Sequence, residues 1–209
     1  MFAKSWKHIL VCESNMIDPQ PGYMGNYPGC HMYDNHLKAL NFALSDGWEL
    51  SKNTPLDIHR FLTRGIPYFE ERNSSGQYRL VDVWIGHELC PNSLLIPSLM
   101  ERWYQFATDI MKEVESSSIN PLDAALYIHH FFQVVHPFID GNGRTGRLLM
   151  QKILNDLGED PVIISFDARA EYYESIQYFR DSYWADNSLD YDKILSDLKM
   201  GNLLNDFQL

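Results

Sequence analysis

A histidine, a carboxylate, an asparagine between two glycines and two arginines share the stretch Val135-His136-Pro137-Phe138-Ile139-Asp140-Gly141-Asn142-Gly143-Arg144-Thr145-Gly146-Arg147. Those residue types suit phosphate chemistry. Gly141 and Gly143 permit positive φ and carry no side-chain bulk, so backbone N–H groups can close around an oxyanion. A helix opening there would add partial positive charge suited to phosphate. Arg144 and Arg147 share a helix face and offer two planar forks for phosphate oxygens. Asp140 suits Mg²⁺, which takes one or two carboxylates together with phosphate oxygens. The competing role for Asp140 is a cap on the following turn, common for aspartate before glycine. His136 is placed to take a proton from an incoming hydroxyl. Asn142 can line the anion site and also serve as a left-handed turn residue. Phe138 reads as a core anchor for the loop. The stretch has the makings of a nucleotide-phosphate cradle with its own base.

The elements that must position this loop are legible on both sides of it. An apolar run from Leu122 to Val135, opened by Pro121, precedes it. Leu149, Ile153 and Leu157 recur at helical spacing after it, so the loop joins two buried helices. Elsewhere the pattern predicts helices over Leu37–Leu44, Thr54–Gly65, Pro97–Val114, Ala168–Tyr183 and Tyr191–Met200, with Thr54 as a cap ahead of Pro55. Pro21 to Asp34 is rich in glycine and proline and is expected to be loop. Tyr78 to Ile85 alternates in polarity and is the best strand candidate. Asp160-Pro161 reads as a turn and Val162–Ser165 as a short extended piece. The expectation is a mainly α fold, a single domain over residues 1–209 with a small β-hairpin.

Composition narrows the function classes. With 209 residues, 45% of them hydrophobic and 13% aromatic, the chain can bury a real core. A formal net charge of −11 argues against a nucleic-acid partner, because such binding rests on cationic counterion release. Cys12, Cys30 and Cys90 lack paired spacing and are read as inert thiols of a reducing compartment. No apolar run approaches the ~20 residues that span a bilayer, and Ile9–Cys12 is too short for a signal-peptide core. The expectation is no membrane partner and a cytoplasmic location, with a secreted effector left open. The spacing of His129, His130 and His136 does not converge on a transition metal.

His136-Pro137-Phe138-x-Asp140-Gly141-Asn142-Gly143-Arg144-x-x-Arg147 resembles the complete signature of the Fic family, whose members transfer a nucleotide monophosphate to a protein hydroxyl. Ala125, His129, His130 and Phe132 before it, and Arg169, Tyr172 and Tyr173 after it, sit where similar residues recur. Ile58-His59, Gly76–Arg79 and Val83–His87 resemble the family's flap region. The resemblance implies a helical domain with an N-terminal segment over 1–35, a flap hairpin over 76–87 and a helix–loop–helix core over 121–157. It implies transfer of AMP from ATP to a Ser, Thr or Tyr hydroxyl of a target protein docked on the flap strand. His136 would be the base, Gly141, Asn142, Gly143, Arg144 and Arg147 the phosphate ligands, and Asp140 the Mg²⁺ ligand.

By the same resemblance Tyr172 or Tyr173 approaches the base or ribose, although Arg180 stands where some relatives have asparagine. Ser14-x-x-x-Asp18 falls where an inhibitory helix would lie, with aspartate in place of glutamate and Pro19 after it. Its acid would pair with Arg147; the alternative is a plain Asp-Pro turn. Ser196 to Asn202 has the frame of a C-terminal version but no acid. A de-AMPylating hydrolase at the same site, or a nucleotide-sensing module without transfer, are the rival functions. A homo-oligomer or a separate antitoxin partner stays open.

Overall fold

The computed structural model describes residues 5–17, 30–116 and 119–200. The fold is mainly α. In chain order come α1 (Trp6–Ile17), α2 (His31–Ala43), α3 (Thr54–Thr63), the short α4 (Pro67–Glu70), a hairpin of β1 (Trp84–Ile85) and β2 (Glu88–Leu89), and α5 (Ile96–Ser116). There follow α6 (Pro121–Val135), α7 (Asn142–Asp156), α8 (Arg169–Tyr183), a hairpin of β3 (Trp184–Ala185) and β4 (Ser188–Leu189), and α9 (Tyr191–Met200).

The centre is α6, which packs on α5, α7 and α8, while α2 and α3 pack on each other and on α7. It starts where Asn120 accepts from the amides of Leu122 at 2.8 Å and Asp123 at 3.4 Å, a cap followed by a proline that lacks the N–H a first turn leaves orphaned. From Asp123 to Val135 every residue is buried, the pattern of a helix covered on all sides. By contrast α5 buries one stripe, including Ile96, Leu99, Met100, Trp103 and Ile110. Trp103 fixes its register on α6 by donating Nε1 to Ile128 O at 3.0 Å.

Four expectations need correction. Tyr78–Ile85 is not a strand: only Trp84 and Ile85 pair, antiparallel to Leu89 and Glu88. The backbone at Arg79 instead donates to Pro137 O at 2.9 Å, so the segment is tied to the loop below it. The flap hairpin therefore centres on residues 84–89, later than expected. The loop expected through Asp34 gives way to α2 at His31. Thr54 does not cap α3: its Oγ1 accepts from Ser51 N at 2.9 Å, one turn back.

Two further elements go beyond the expectations. The N-terminal apolar patch is helical from Trp6 to Ile17, where the resemblance placed a helix only from Ser14. The β3–β4 hairpin turns through Asp186 and Asn187, both at positive φ (50° and 57°), the pairing that suits a two-residue hairpin turn. Val162 belongs to no strand; Gln151 holds its backbone through both amide atoms, at 2.7 and 3.2 Å. Among the described residues no helix is long and apolar enough to cross a membrane.

Four buried histidines join these helices. His36 of α2 donates Nδ1 to Asn15 Oδ1 of α1 at 2.7 Å. His59 of α3 reaches the loop before α7, and His129 and His130 of α6 meet Tyr172 and Ser175 of α8 at 3.0 and 2.9 Å. Burial holds all four neutral, His59 down to about 3, His129 to about 4, and His36 and His130 well below their ordinary range. An unfolded chain protonates them near pH 6.5 and the folded one does not, so their stabilisation is full above that pH and falls as pH drops. Each loses about 1.4 kcal/mol per pH unit below the unfolded value, on the order of 5 kcal/mol for the four at pH 5.5. The urea midpoint should fall steeply between pH 7.5 and 5.5; a flat profile would overturn this account.

Candidate active site

The site begins where α6 stops. His136 is its C-cap, at φ 51° and ψ 61°, with its N–H still bonded to Phe132 O. A left-handed conformation is costly for a residue with a Cβ, and Pro137 bars a return to helix. The turn that follows is closed by one side chain. Asn142 accepts from Phe138 N at 2.8 Å and donates Nδ2 to Phe138 O at 2.9 Å. Asn142 thus opens α7 and does not supply the left-handed turn; Gly141 does, at φ 79°.

Phe138 stacks on the His59 ring, centroids 3.8 Å apart and planes 6° from parallel. His59 Nδ1 accepts from Gly76 N at 2.9 Å, which leaves the proton on Nε2, and that atom donates to Asp140 O at 3.0 Å. Asp140 Oδ1 accepts from Gly141 N at 2.6 Å, so the turn-cap role does hold. The first bond along α7 runs from Thr145 N to Gly141 O at 3.0 Å. The amides of Asn142, Gly143 and Arg144 therefore lie at the open mouth of the helix, where no intrahelical carbonyl is available to them. His136 Nδ1 donates to Gln133 O at 3.3 Å, which places the proton-accepting lone pair of the neutral ring at Nε2.

His136, Asp140, Gly141, Asn142, Gly143, Arg144, Arg147, Tyr172 and Tyr173 all line one cavity of about 440 Å³. Their roles in it differ. Arg147 is buried and donates Nε to Ser14 Oγ and Nη2 to Ser14 O, both at 2.8 Å, and Nη1 to Tyr172 OH at 3.3 Å. Tyr172 is buried between Arg147 and His129. Tyr173 is half-exposed and donates its hydroxyl to Ile17 O at 3.1 Å. Both ends of this contact bind α1 to the cavity wall. Asp18 lies outside the described residues. No group of three or more His, Cys, Asp or Glu side chains among the described residues is arranged to hold a metal.

Residues 49–154 match the sequence profile of the Fic/DOC family. The chain belongs to that family. It is 33% identical over 144 residues to "Protein adenylyltransferase Fic" of Drosophila persimilis, covering 69% of this chain and 27% of that one. The same protein of Drosophila grimshawi is 31% identical over a similar span. The chain thus spans about a quarter of the length of these curated relatives. A Fic-domain signalling protein from Bacteroides thetaiotaomicron superposes with a TM-score of 0.72 at 16% identity, covering 95% of this chain and 83% of that one. Fic-1 of C. elegans superposes at 0.67 and 22% identity, covering 98% of this chain and 63% of that one. The shared fold thus takes in nearly the whole chain, beyond the profile match.

Within this Fic domain several residues that line the cavity or support its wall carry no local sequence signal. Gln133 donates Nε2 to Asn142 O at 3.3 Å across the α6–α7 crossing. Glu88 on β2 is ion-paired with Arg180 and accepts from Gln177 Nε2 at 3.3 Å, so the hairpin leans over the cavity toward α8. Gly146 is required by that crossing: a Cβ there would sit 2.0 Å from Gln133 Nε2 and 3.0 Å from the Phe132 ring. Gly146→Ala should lower stability by ~1–3 kcal/mol through overpacking, measured by thermal unfolding. An unchanged melt would show that Gln133 can step aside.

Proposed function

We propose that the chain is a protein adenylyltransferase, moving AMP from ATP to a Ser, Thr or Tyr hydroxyl of a target protein. The observation that carries this reading is the meeting, in one cavity, of His136 and the helix-mouth amides of α7. A base and an anion cradle on neighbouring residues suit attack of a hydroxyl on a phosphate. The names of the Drosophila relatives support the choice of AMP.

The target hydroxyl gives its proton to His136 Nε2 as its oxygen bonds to the α-phosphorus. The bond from that phosphorus to the bridging oxygen breaks, and pyrophosphate leaves. The Asn142, Gly143 and Arg144 amides and the Arg144 and Arg147 guanidiniums stabilise phosphate charge, so catalysis is mainly positioning and electrostatics. Asp140 as a single carboxylate is too few donors for a protein-only metal cage but fits Mg²⁺ held jointly with phosphates. There the ion would offset the charge that builds on the phosphate oxygens. Tyr173, at the rim, is the better placed of the two tyrosines to meet base or ribose, because Tyr172 is buried behind Arg147. Target docking falls to the exposed edge at Trp84–Ile85, with Trp84 and Leu89 as solvent-facing apolar contacts.

The Ser14–Arg147 contact supports restraint of this activity by α1. Two of the donors that Arg147 would offer a phosphate are held by Ser14, and Asp18, four residues later in the sequence, is the acid that the resemblance assigns to inhibition. The test is incubation with Mg²⁺ and ATP radiolabelled on the α-phosphate, with cell lysate as a source of target. Label should appear on protein and fall ~10²–10⁴-fold in His136→Ala. It should rise in Asp18→Gly. An unchanged rate in Asp18→Gly ends the restraint idea. Tight ATP binding with no label from ATP, GTP or UTP ends the transferase reading.

A further inference from the structure

Arg79 is 1% exposed, and its side chain serves backbone carbonyls. Nε donates to His136 O at 2.8 Å, Nη1 to Val81 O at 2.9 Å and Nη2 to Pro91 O at 2.5 Å. Its own amide donates to Pro137 O at 2.9 Å. The nearest carboxylate, Asp82, is 3.9 Å away and half-exposed. A buried cation needs such neutralisation by dipoles when no anion is in contact.

The positions of those carbonyls matter more than their number. Val81 and Pro91 are the two stems of the flap, which is closed between them by the β1–β2 pairs and by Cys90 N to Val83 O at 3.0 Å. His136 and Pro137 are the turn out of α6. Pro137 has no N–H, so the carbonyls of these two residues are the handles by which this turn can be gripped, and Arg79 holds both. His136 is also the non-glycine residue in the left-handed region at this site, a conformation that persists only where surrounding structure over-determines it.

We infer that Arg79 is a positioning residue that couples the flap to His136: it holds the histidine backbone in its left-handed conformation and relays movement of the flap stems to the ring. Occupation of the flap by a target segment would then be felt at His136 through one planar guanidinium. A lysine ammonium is a point charge without the planar fork and cannot hold carbonyls in these directions at once. The catalytic consequence rests on the transferase reading; the mechanical coupling does not.

Hydrogen exchange and transfer kinetics on the full chain separate the two. In Arg79→Lys, amide exchange should rise together at Cys90 in the flap and at Phe138 in the loop, by about tenfold or more as local opening becomes easier. Transfer at saturating ATP should fall on the order of 10²-fold, as expected for a displaced base, with ATP affinity changed less than about threefold because the α7 amides are untouched. Glu88→Ala loosens the flap from its tip, away from Arg79, where Glu88 is ion-paired with Arg180 and accepts from Gln177 Nε2 at 3.3 Å. It should raise exchange at Phe138 with Arg79 present and not in the Arg79→Lys background. Exchange that rises in the flap alone, or a transfer rate unchanged in Arg79→Lys, overturns the inference. If wild type and His136→Ala are equally inactive, the transferase reading falls and the exchange result alone decides the coupling. Should Arg79→Lys fail to fold, exchange at Phe138 in Glu88→Ala decides it, a rise upholding the coupling and no change overturning it.

Discussion

One constraint shapes this domain: a helix–loop–helix turn that must be buried and polar at once. Buried backbone groups need partners, and those between His136 O and Gly141 N belong to neither helix ladder. The partners come from three directions. Asn142 closes on both polar atoms of Phe138 from within the turn. His59 meets Asp140 O from α3. Arg79 takes His136 O and Pro137 O from the flap side. Removing any one takes away the protein partner of a carbonyl or amide, which costs about 1–3 kcal/mol per group where it stays buried. The same arrangement turns the α7 amides and the His136 ring toward one cavity. Satisfying the turn and building the site are one task.

Electrostatics follow from that geometry. The chain carries a net charge of −11, yet Arg79, Arg144 and Arg147 are buried around the turn. Their local field, together with the mouth of α7, makes a positive pocket inside an acidic protein. Neutral histidines lie close enough to feel its arginines: His36 is kept uncharged by burial and then by Arg144 and Arg147 themselves. A protonated imidazole there would compete with the anion site for the same negative ligand. Arg147 sits where the pocket meets α1 and α8, so the helix that contributes Ser14 and the helix that contributes Tyr172 share its guanidinium.

Much of this was legible in the sequence, and unevenly so. The stretch from His136 to Arg147 names its own chemistry, because a tight turn encodes it in consecutive residues, and the nine sequence-named residues from His136 to Tyr173 do line one cavity. The helices were legible where apolar spacing is strong, as in α5 to α7. What escaped were relations across long sequence separations. Gln133 and Gly146 make sense only once α6 crosses α7, and Glu88 only once the hairpin leans on α8. Arg79 sat in the expected flap, but alternation in Tyr78–Ile85 was read as a strand. That alternation reflects a segment with Arg79 turned inward to carbonyls, Tyr78 packed beside Phe138 and Leu80 to Asp82 exposed, a pattern that period-two reasoning cannot distinguish from a pleat.

The shortness of the flap hairpin is itself informative. Two residues a side give too little cross-strand contact to be stable alone, since an isolated hairpin is marginal even when longer. Here the stems are gripped by Arg79 and the tip by Glu88 against Arg180 and Gln177. The hairpin therefore keeps its place through its two anchors, and the outer edge of β1 has no partner strand among the described residues. An edge held from behind in this way is suited to accept an extended segment by backbone pairing. Its alignment is then referred to the same arginine that holds the carbonyl of His136. In the proposed docking, the distance from the docked backbone to the base would be set by these two anchors instead of by the summed tolerances of a loop.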